Sequence, residues 1–330
     1  MASNPKRGRA HASIVTLTLN PSIDLFCETD RVQPTHKMRT YGEHMDAGGG
    51  GVNVARVIRE LGGDVLAICF AGGATGGLLG ELLAREDIPY FHVPIANPTR
   101  INHVVRERQT GEEYRFVLNG PEVSSSEKAA LLRAVHAIDF EYFVASGSLP
   151  PSCPADLLIA IAEISRARGA HFVLDSSGDG LEKTLEAGGV FLVKPSIGEL
   201  EKLVGRPLPT EEEQHVAAMK LIKDGHAEFV AVTLGGDGAF LASKKGVQRL
   251  APPPVQAIST VGAGDSFLAG LVLSLAHGDS ELDALAHGIA SGTAAVLERG
   301  TSLCRAEDVD RLYGILANEL GDATKVAVKA

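Results

Sequence analysis

A chain of 330 residues with 45% hydrophobic content can bury a large core and is long enough for one or two domains. A formal charge of -10 and the absence of Trp argue against a nucleic-acid surface, which needs a basic face and stacking rings. Cys27, Cys69, Cys153 and Cys304 are far apart and form no C-x-x-C pair, which argues against a zinc site or a disulfide framework.

Lys6, Arg7 and Arg9 precede an apolar stretch, Ile14 to Leu19. That stretch is too short for a signal core, holds two Thr and is followed by no small-residue cleavage site, so it reads as a first strand. No run approaches the roughly 20 apolar residues that span a bilayer. A soluble cytoplasmic protein is expected, with a disordered start over residues 1–12 and a loose end after Gly321.

In chain order, Ser13 to Leu19 is β-rich and ends at Asn20-Pro21. After Gly48-Gly49-Gly50-Gly51, apolar residues at 54, 57, 58 and 61 predict a helix. Asp64 to Ala71 reads as a strand. Residues 25–46 and 99–119 show no helical period. In the second, Asn102 to Arg106 and Glu113 to Leu118 flank a Thr110-Gly111 turn and read as a hairpin. Together the two stretches suggest a small separate sheet.

From residue 140 the pattern alternates. Strands are expected at Tyr142 to Ala145, His171 to Leu174, Phe191 to Val193 and Phe229 to Leu234. Helices are expected at Pro154 to Arg168, Ile197 to Val204 and, behind a Thr210/Glu213 capping box, up to Asp224. Such alternation predicts an α/β fold with a doubly wound, mostly parallel sheet flanked by helices. In such sheets ligands bind beyond the carboxyl ends of the strands. Those ends carry Asn20-Pro21-Ser22-Ile23-Asp24, Ser146-Gly147-Ser148, Asp175-Ser176-Ser177-Gly178, Lys194-Pro195-Ser196 and Gly235-Gly236-Asp237-Gly238.

The strongest motif is Thr260-Val261-Gly262-Ala263-Gly264-Asp265, followed by the apolar run Leu268 to Leu275, which reads as a buried helix. Two glycines allow a tight turn whose amides face one point, and a helix N-terminus there favours an anion. Asp265 then sits in the first turn, placed to take a proton from a hydroxyl while the amides hold a transferring phosphoryl group. Taken alone, an Asp at that position also fits a simple complement to the helix dipole.

This motif resembles the C-terminal signature of the PfkB/ribokinase carbohydrate kinase family, and Gly48-Gly49-Gly50-Gly51-Val52-Asn53-Val54-Ala55 resembles its N-terminal signature. Thr18 to Asp24 is similar to the opening of the phosphosugar branch, which includes the PfkB-type bacterial 6-phosphofructokinases. The likeness runs from about residue 13 to about 318. It implies a single ribokinase-like kinase domain over residues 1–330, with residues 25–46 and 99–119 as a discontinuous β-sheet lid and a homodimer formed through it. It implies phosphoryl transfer from ATP to the C1 hydroxyl of fructose 6-phosphate.

Residue by residue, the resemblance implies Asp265 as base and Gly262, Ala263 and Gly264 as anion hole. Asp24, Gly48, Gly49, Asn53 and Ser148 would bind the sugar, and Lys37, Arg39 and Arg100 its 6-phosphate. Lys194, Ser196, Thr233, Gly235, Gly236, Gly238, Ile289 and Thr293 would bind ATP. Glu199 would help position Mg2+ in a motif whose usual Asn is here Ser196. Ser259, Val261, Ala295 and Gly300 would form a monovalent-cation (K+) loop.

Tagatose 6-phosphate or fructose 1-phosphate are alternative substrates, although Gly50 stands where many 1-phosphofructokinases and tagatose-6-phosphate kinases carry Lys. A non-catalytic nucleotide- or sugar-binding regulator is expected to lack the base or the glycines. A dinucleotide oxidoreductase or Walker-type ATPase fails because G-x-G-x-x-G after the first strand and G-K-[ST] are missing.

Overall fold

The computed structural model describes residues 10–327. The first strand, β1 (Ala10–Thr18), leads into the antiparallel pair β2 (Ser22–Thr29) and β3 (Tyr41–Gly48). Next come α1 (Gly50–Glu60), β4 (Val65–Ala71), α2 (Gly73–Arg85) and β5 (Tyr90–Pro94), then the hairpin β6 (Arg100–Glu107) and β7 (Glu113–Phe116). Then α3 (Ser125–Ala137), β8 (Ile138–Ser146), α4 (Asp156–Ala167), β9 (His171–Asp175), α5 (Asp179–Ala187) and β10 (Val190–Val193) alternate. Helices α6 (Ile197–Val204) and α7 (Glu211–Lys223) precede β11 (Ala227–Thr233) and a second hairpin, β12 (Ala239–Ser243) and β13 (Gly246–Leu250). Three helices close the chain: α8 (Ala263–His277), α9 (Glu281–Ala295) and α10 (Ala306–Ala327).

Nine strands form one sheet in the order β13-β12-β11-β10-β9-β8-β1-β4-β5. The seven strands from β11 to β5 pair in parallel, and the β12–β13 hairpin adds an antiparallel edge. The predicted α/β, ribokinase-like sheet is thus present, but the sequence reading missed the edge hairpin. Its local signals were the Gly-rich turn at 235–238 and the Lys244-Lys245-Gly246 turn. One apolar layer packs α1, α2, α8, α9 and α10 on one face, and the other packs α3 to α7 on the opposite face. A strand buried on both faces has no polar side to show, so Val144, Val173 and Leu192 are fully buried with their neighbours. The second sheet has four strands, β3-β2-β6-β7, with β2 and β6 parallel.

Two expectations about the ends need correction. Of the expected disordered start, residues 1–9 lie outside the described residues, while residues 10–12 belong to β1. Ladder pairing of Ala10 with Ile138 and His11 with Asp139 extends the strand upstream of its apolar pattern. The expected loose end after Gly321 is helical as far as Ala327, because α10 is rich in good helix formers and an isolated Gly costs only about 1 kcal/mol. Among the described residues, no helix is long and apolar enough to cross a membrane.

The chain leaves β1 toward β4 and β5 on one side, while β8 to β11 continue on the other. The switch point therefore lies between β1 and β8, where a crevice opens at the strand tips. Glycines allow α1 to start there. A Cβ on Gly51 would collide with the Leu17 carbonyl, and one on Gly50 with the Ser146 hydroxyl and the Gly147 amide.

Candidate active site

Helix α8 begins at Gly262, whose left-handed φ of 71° turns the chain into the helix and which few other residues adopt readily. The amides of Ala263 and Gly264 fall in the first turn, where helix N–H groups have no intrahelical acceptor. Asp265 follows, and its Oδ2 accepts a 2.8 Å hydrogen bond from Asn53 Nδ2 on α1, 212 positions away. Burial among protein, the Asp175 carboxylate and Asp24 raise its pKa to about 7, against the opposing pull of Asn53 and Lys194. A carboxyl so tuned changes protonation near neutrality, as a general base requires.

Beside it lies a buried ion pair. Lys194 Nζ stands 3.1 Å from Asp175 Oδ1, and both side chains are at most 15% exposed. Ser146 Oγ donates to the other Asp175 oxygen at 3.2 Å. Burial disfavours the Lys194 charge, but Asp175, Asp265 and Glu199 outweigh it and raise its pKa. Burial raises the Asp175 pKa against the opposing Lys194 charge. A Cβ on Gly264 would lie 3.6 Å from Lys194 Nζ, so the ammonium borders the glycine turn.

On one side of Asp265 opens a cleft of about 630 Å³. Thr233, Gly235, Gly236, Gly238, Ala263, Gly264, Ile289 and Thr293 line it, so the structure gathers most of the nucleotide-site residues expected from sequence. Its far wall, Pro252-Pro253-Pro254-Val255, went unnoticed in the sequence, where it reads as a plain connector. Lys194 and Ser196 are at the adjoining strand tip, Ser196 being bridged to Thr233.

On the other side stand the expected sugar residues. Asp24 Oδ1 accepts from Ser22 Oγ at 2.6 Å and Asn102 Nδ2 at 2.9 Å. A Cβ on Gly48 would collide with the Asp24 carboxylate, and Gly49 caps α1 with φ 106°. Ser148 Oγ accepts from Asn20 Nδ2 at 3.3 Å, and the same amide donates to the Asn119 carbonyl at 2.9 Å. Arg100 is half-buried and donates to the Leu118 carbonyl at 2.6 Å and the Asn20 carbonyl at 2.8 Å, while its Nε has no partner. Burial lowers its pKa, against the favourable Asp24 charge. Lys37 and Arg39 are exposed between β2 and β3, and among the described residues neither side chain is ion-paired. Among the described residues, no side-chain hydrogen bond or ion pair brings them to the crevice. Asn20, Asn102, Ser146 and Asp175 were not singled out from the sequence, although three of them stand in the strand-end motifs quoted above.

Glu199 proves to be the N3 residue of a capping box on α6. Its Oε2 accepts from the Ser196 amide at 2.8 Å and from Ser196 Oγ at 2.9 Å. Among the described residues, no cluster of three or more carboxylate, His or Cys side chains is preformed for a metal. The segments carrying Ser259, Val261, Ala295 and Gly300 meet. Ile258 and Ser259 amides donate to the Val296 carbonyl at 2.7 and 3.4 Å, and Gly300 turns with φ 61°.

A model of the pfkB family of carbohydrate kinases matches residues 17–308. The chain is 42% identical over 306 residues to an ATP-dependent 6-phosphofructokinase isozyme 2 of Mycobacterium tuberculosis, covering 92% of this chain and 90% of that protein. It is similar to the crystal structure of Escherichia coli phosphofructokinase-2 in complex with fructose-6-phosphate, with TM-score 0.88 and 37% identity over 93% of this chain and 99% of that one. The same Escherichia coli protein in complex with potassium gives TM-score 0.90 and 39% identity, again over 93% and 99%.

Proposed function

The chain belongs to the pfkB family of carbohydrate kinases, and from that premise we propose that it transfers the γ-phosphoryl group of ATP to the C1 hydroxyl of fructose 6-phosphate, giving fructose 1,6-bisphosphate and ADP. One observation carries the reading. A carboxylate with a pKa near neutrality stands at the first turn of α8, between a nucleotide-sized cleft and the polar pocket around Asp24.

Asp265 accepts the proton of the sugar hydroxyl as the phosphoryl group arrives. The amides of Ala263 and Gly264 and the Lys194 ammonium stabilise the charge on the transferring group, which is the main protein contribution in such reactions. Asp24, Asn53, Gly48, Gly49 and Ser148 orient the sugar. Arg100 keeps three N–H groups unspent by its two carbonyl contacts, and these meet the 6-phosphate together with Lys37 and Arg39. The four-stranded sheet with its connecting loops, which takes in the expected lid segments 25–46 and 99–119, serves as the lid that brings those two residues in.

Mg2+ fits the residues present, because this ion usually takes one or two carboxylates and fills its shell with phosphate oxygens and water. Glu199 keeps one oxygen outside its capping box, and Ser196 stands beside it, so these two would hold the ion near the phosphates. When bound, Mg2+ neutralises charge on the β- and γ-phosphates. Ser259, Val261, Ala295 and Gly300 would supply oxygens to a potassium ion, a reading supported by the potassium complex of the Escherichia coli relative. The enzyme is read as cytoplasmic, and as a homodimer joined through the four-stranded sheet, where Tyr41, Met45 and Phe116 on the strands and Met38, Val117 and Leu118 on the adjoining loops are exposed.

The test is ADP release with MgATP and each of fructose 6-phosphate, tagatose 6-phosphate, fructose 1-phosphate and fructose. Fructose 6-phosphate is expected to give the highest kcat/KM, with phosphorus NMR locating the new ester at C1. Higher kcat/KM for either other phosphosugar would replace the substrate, and no turnover with any of them would refute the kinase reading.

A further inference from the structure

Three strand tips meet beneath the glycine turn, and each contributes one polar side chain. Ser146 ends β8, Asp175 ends β9 and Lys194 follows β10 directly. Ladder pairing sets Ser146 opposite Asp175, and the Lys194 amide donates to the Leu174 carbonyl at 3.0 Å. The Gly147 amide donates to the Asp175 carbonyl at 2.9 Å, so the tip of β9, Leu174 and Asp175, is held from both neighbouring strands.

Each oxygen of its carboxylate also has a partner. One oxygen faces Lys194 Nζ at 3.1 Å and the other accepts from Ser146 Oγ at 3.2 Å. Lys194 is 7% exposed and could not remain buried and charged without such a partner. A lysine stem has four rotatable bonds, yet this one ends 3.6 Å from where a Gly264 Cβ would be. The carboxylate removes that freedom.

From this geometry we propose that Asp175 is a positioning residue for phosphoryl transfer: it holds the Lys194 ammonium against the glycine turn that opens α8. The inference rests on the kinase reading above and deepens it. Asp265 feels charged or polar groups from four elements: Asp175 on β9, Lys194 after β10, Asp24 on β2 and Asn53 on α1. Glu199 on α6 acts on the Lys194–Asp175 pair. Of the two anionic neighbours of Asp265, Asp175 is the stronger.

Asp175→Asn keeps the shape and removes the charge. It is expected to lower kcat roughly tenfold to a hundredfold, the scale for groups that orient a functional side chain, while KM for the sugar phosphate changes less than about threefold. With one anion fewer nearby, Asp265 ionises more easily, so the acid limb of kcat/KM moves to lower pH. Asp175→Glu retains the charge but moves it by one methylene. It is expected to lose kcat while that limb stays in place. Combining Asp175→Asn with Lys194→Met is expected to cost no more than Lys194→Met alone, because the aspartate acts on kcat through the lysine.

Carboxyl carbon-13 NMR of the free protein reads the Asp265 titration without turnover. It separates this inference from the kinase reading, which an inactive wild-type chain would overturn. An Asp175→Asn protein with wild-type kcat and an unmoved Asp265 titration, differing only in melting temperature, would overturn the proposed role. Should Asp175→Asn not fold, Asp175→Glu decides. Wild-type kcat in that variant would equally refute the positioning.

Discussion

The large and the small sheet hold their functional residues in opposite ways. At the tips of the nine-stranded sheet, Asp265, Asp175 and Lys194 are fixed by partners from α1, β8, β9 and β10. Of these partners, Ser146 and Lys194 are buried, while Asn53 and Asp175 are partly so. On the four-stranded sheet, Lys37 and Arg39 are exposed, and apolar side chains such as Met45 and Phe116 stand in solvent. Its ties to the rest of the crevice gather near the strand roots, where Arg100 donates to the Asn20 carbonyl, Asn102 donates to Asp24 and Thr301 donates to Asp46. The first region is complete within one chain. The second presents basic and apolar side chains to solvent.

The sharpest way to break this contrast is Asp265→Asn. Turnover measured by ADP release is expected to fall by about 10²–10⁴-fold, the usual worth of a general base. The wild-type kcat/KM profile should lose activity as pH drops through about 7. The stability effect runs the other way. A carboxyl whose pKa is raised by folding stabilises the native state below its unfolded value of about 3.9, and that contribution is lost as pH rises toward about 7. Thermal unfolding should therefore show Asp265→Asn gaining stability over wild type at pH 8 and little at pH 4.

Arg100→Ala is next. KM for the sugar phosphate should rise on the order of tenfold to a hundredfold, as loss of a charge-assisted hydrogen bond predicts, with a smaller change in kcat. Lys37→Ala should raise the same KM without altering the melting temperature. An unchanged KM in both would detach the small sheet from the substrate.

Two glycines compare the rigidity of the regions. Gly51→Ala presses a methyl group onto the Leu17 carbonyl and should cost about 1–3 kcal/mol in denaturant unfolding. Gly42→Ala, on β3, meets nothing within 4 Å and should cost only the strain of its φ of 63°, roughly 1 kcal/mol. The smallest stability effect is expected for Phe116→Glu, within about 0.5 kcal/mol because the ring is 57% exposed. Its readout is sedimentation, in which a dimer held through this sheet should dissociate. Unchanged sedimentation of a wild-type dimer would place the contact elsewhere.

Much of the crevice was legible in the residues. Gly262, Gly264 and Asp265 are neighbours in the chain, so a turn followed by a helix places them whatever the rest of the fold does. The capping box of Thr210 with Glu213 is equally local, spanning four residues. The alternation after residue 140 likewise fixed the parallel sheet, since helical and strand periods are written in consecutive residues.

Contacts between distant segments were not legible. Asn53 meets Asp265 across 212 positions, and Arg100 reaches Asn20 across 80. A nearer contact also escaped: Glu199 had a role assigned by resemblance, and its capping-box hydrogen bonds to Ser196, three positions away, show only once the start of α6 is fixed. The ion pair of Asp175 with Lys194 depends on the order β10-β9-β8, which no local pattern encodes.

The sequence by itself determined the layered α/β architecture, the amide turn and the carboxyl at its end, because these follow from periodicity and backbone freedom over a few residues. Only the tertiary structure decided which charges share a low-polarity environment. A pKa is set by desolvation and by groups a few ångströms away, and those groups come from strands and helices far apart in the chain.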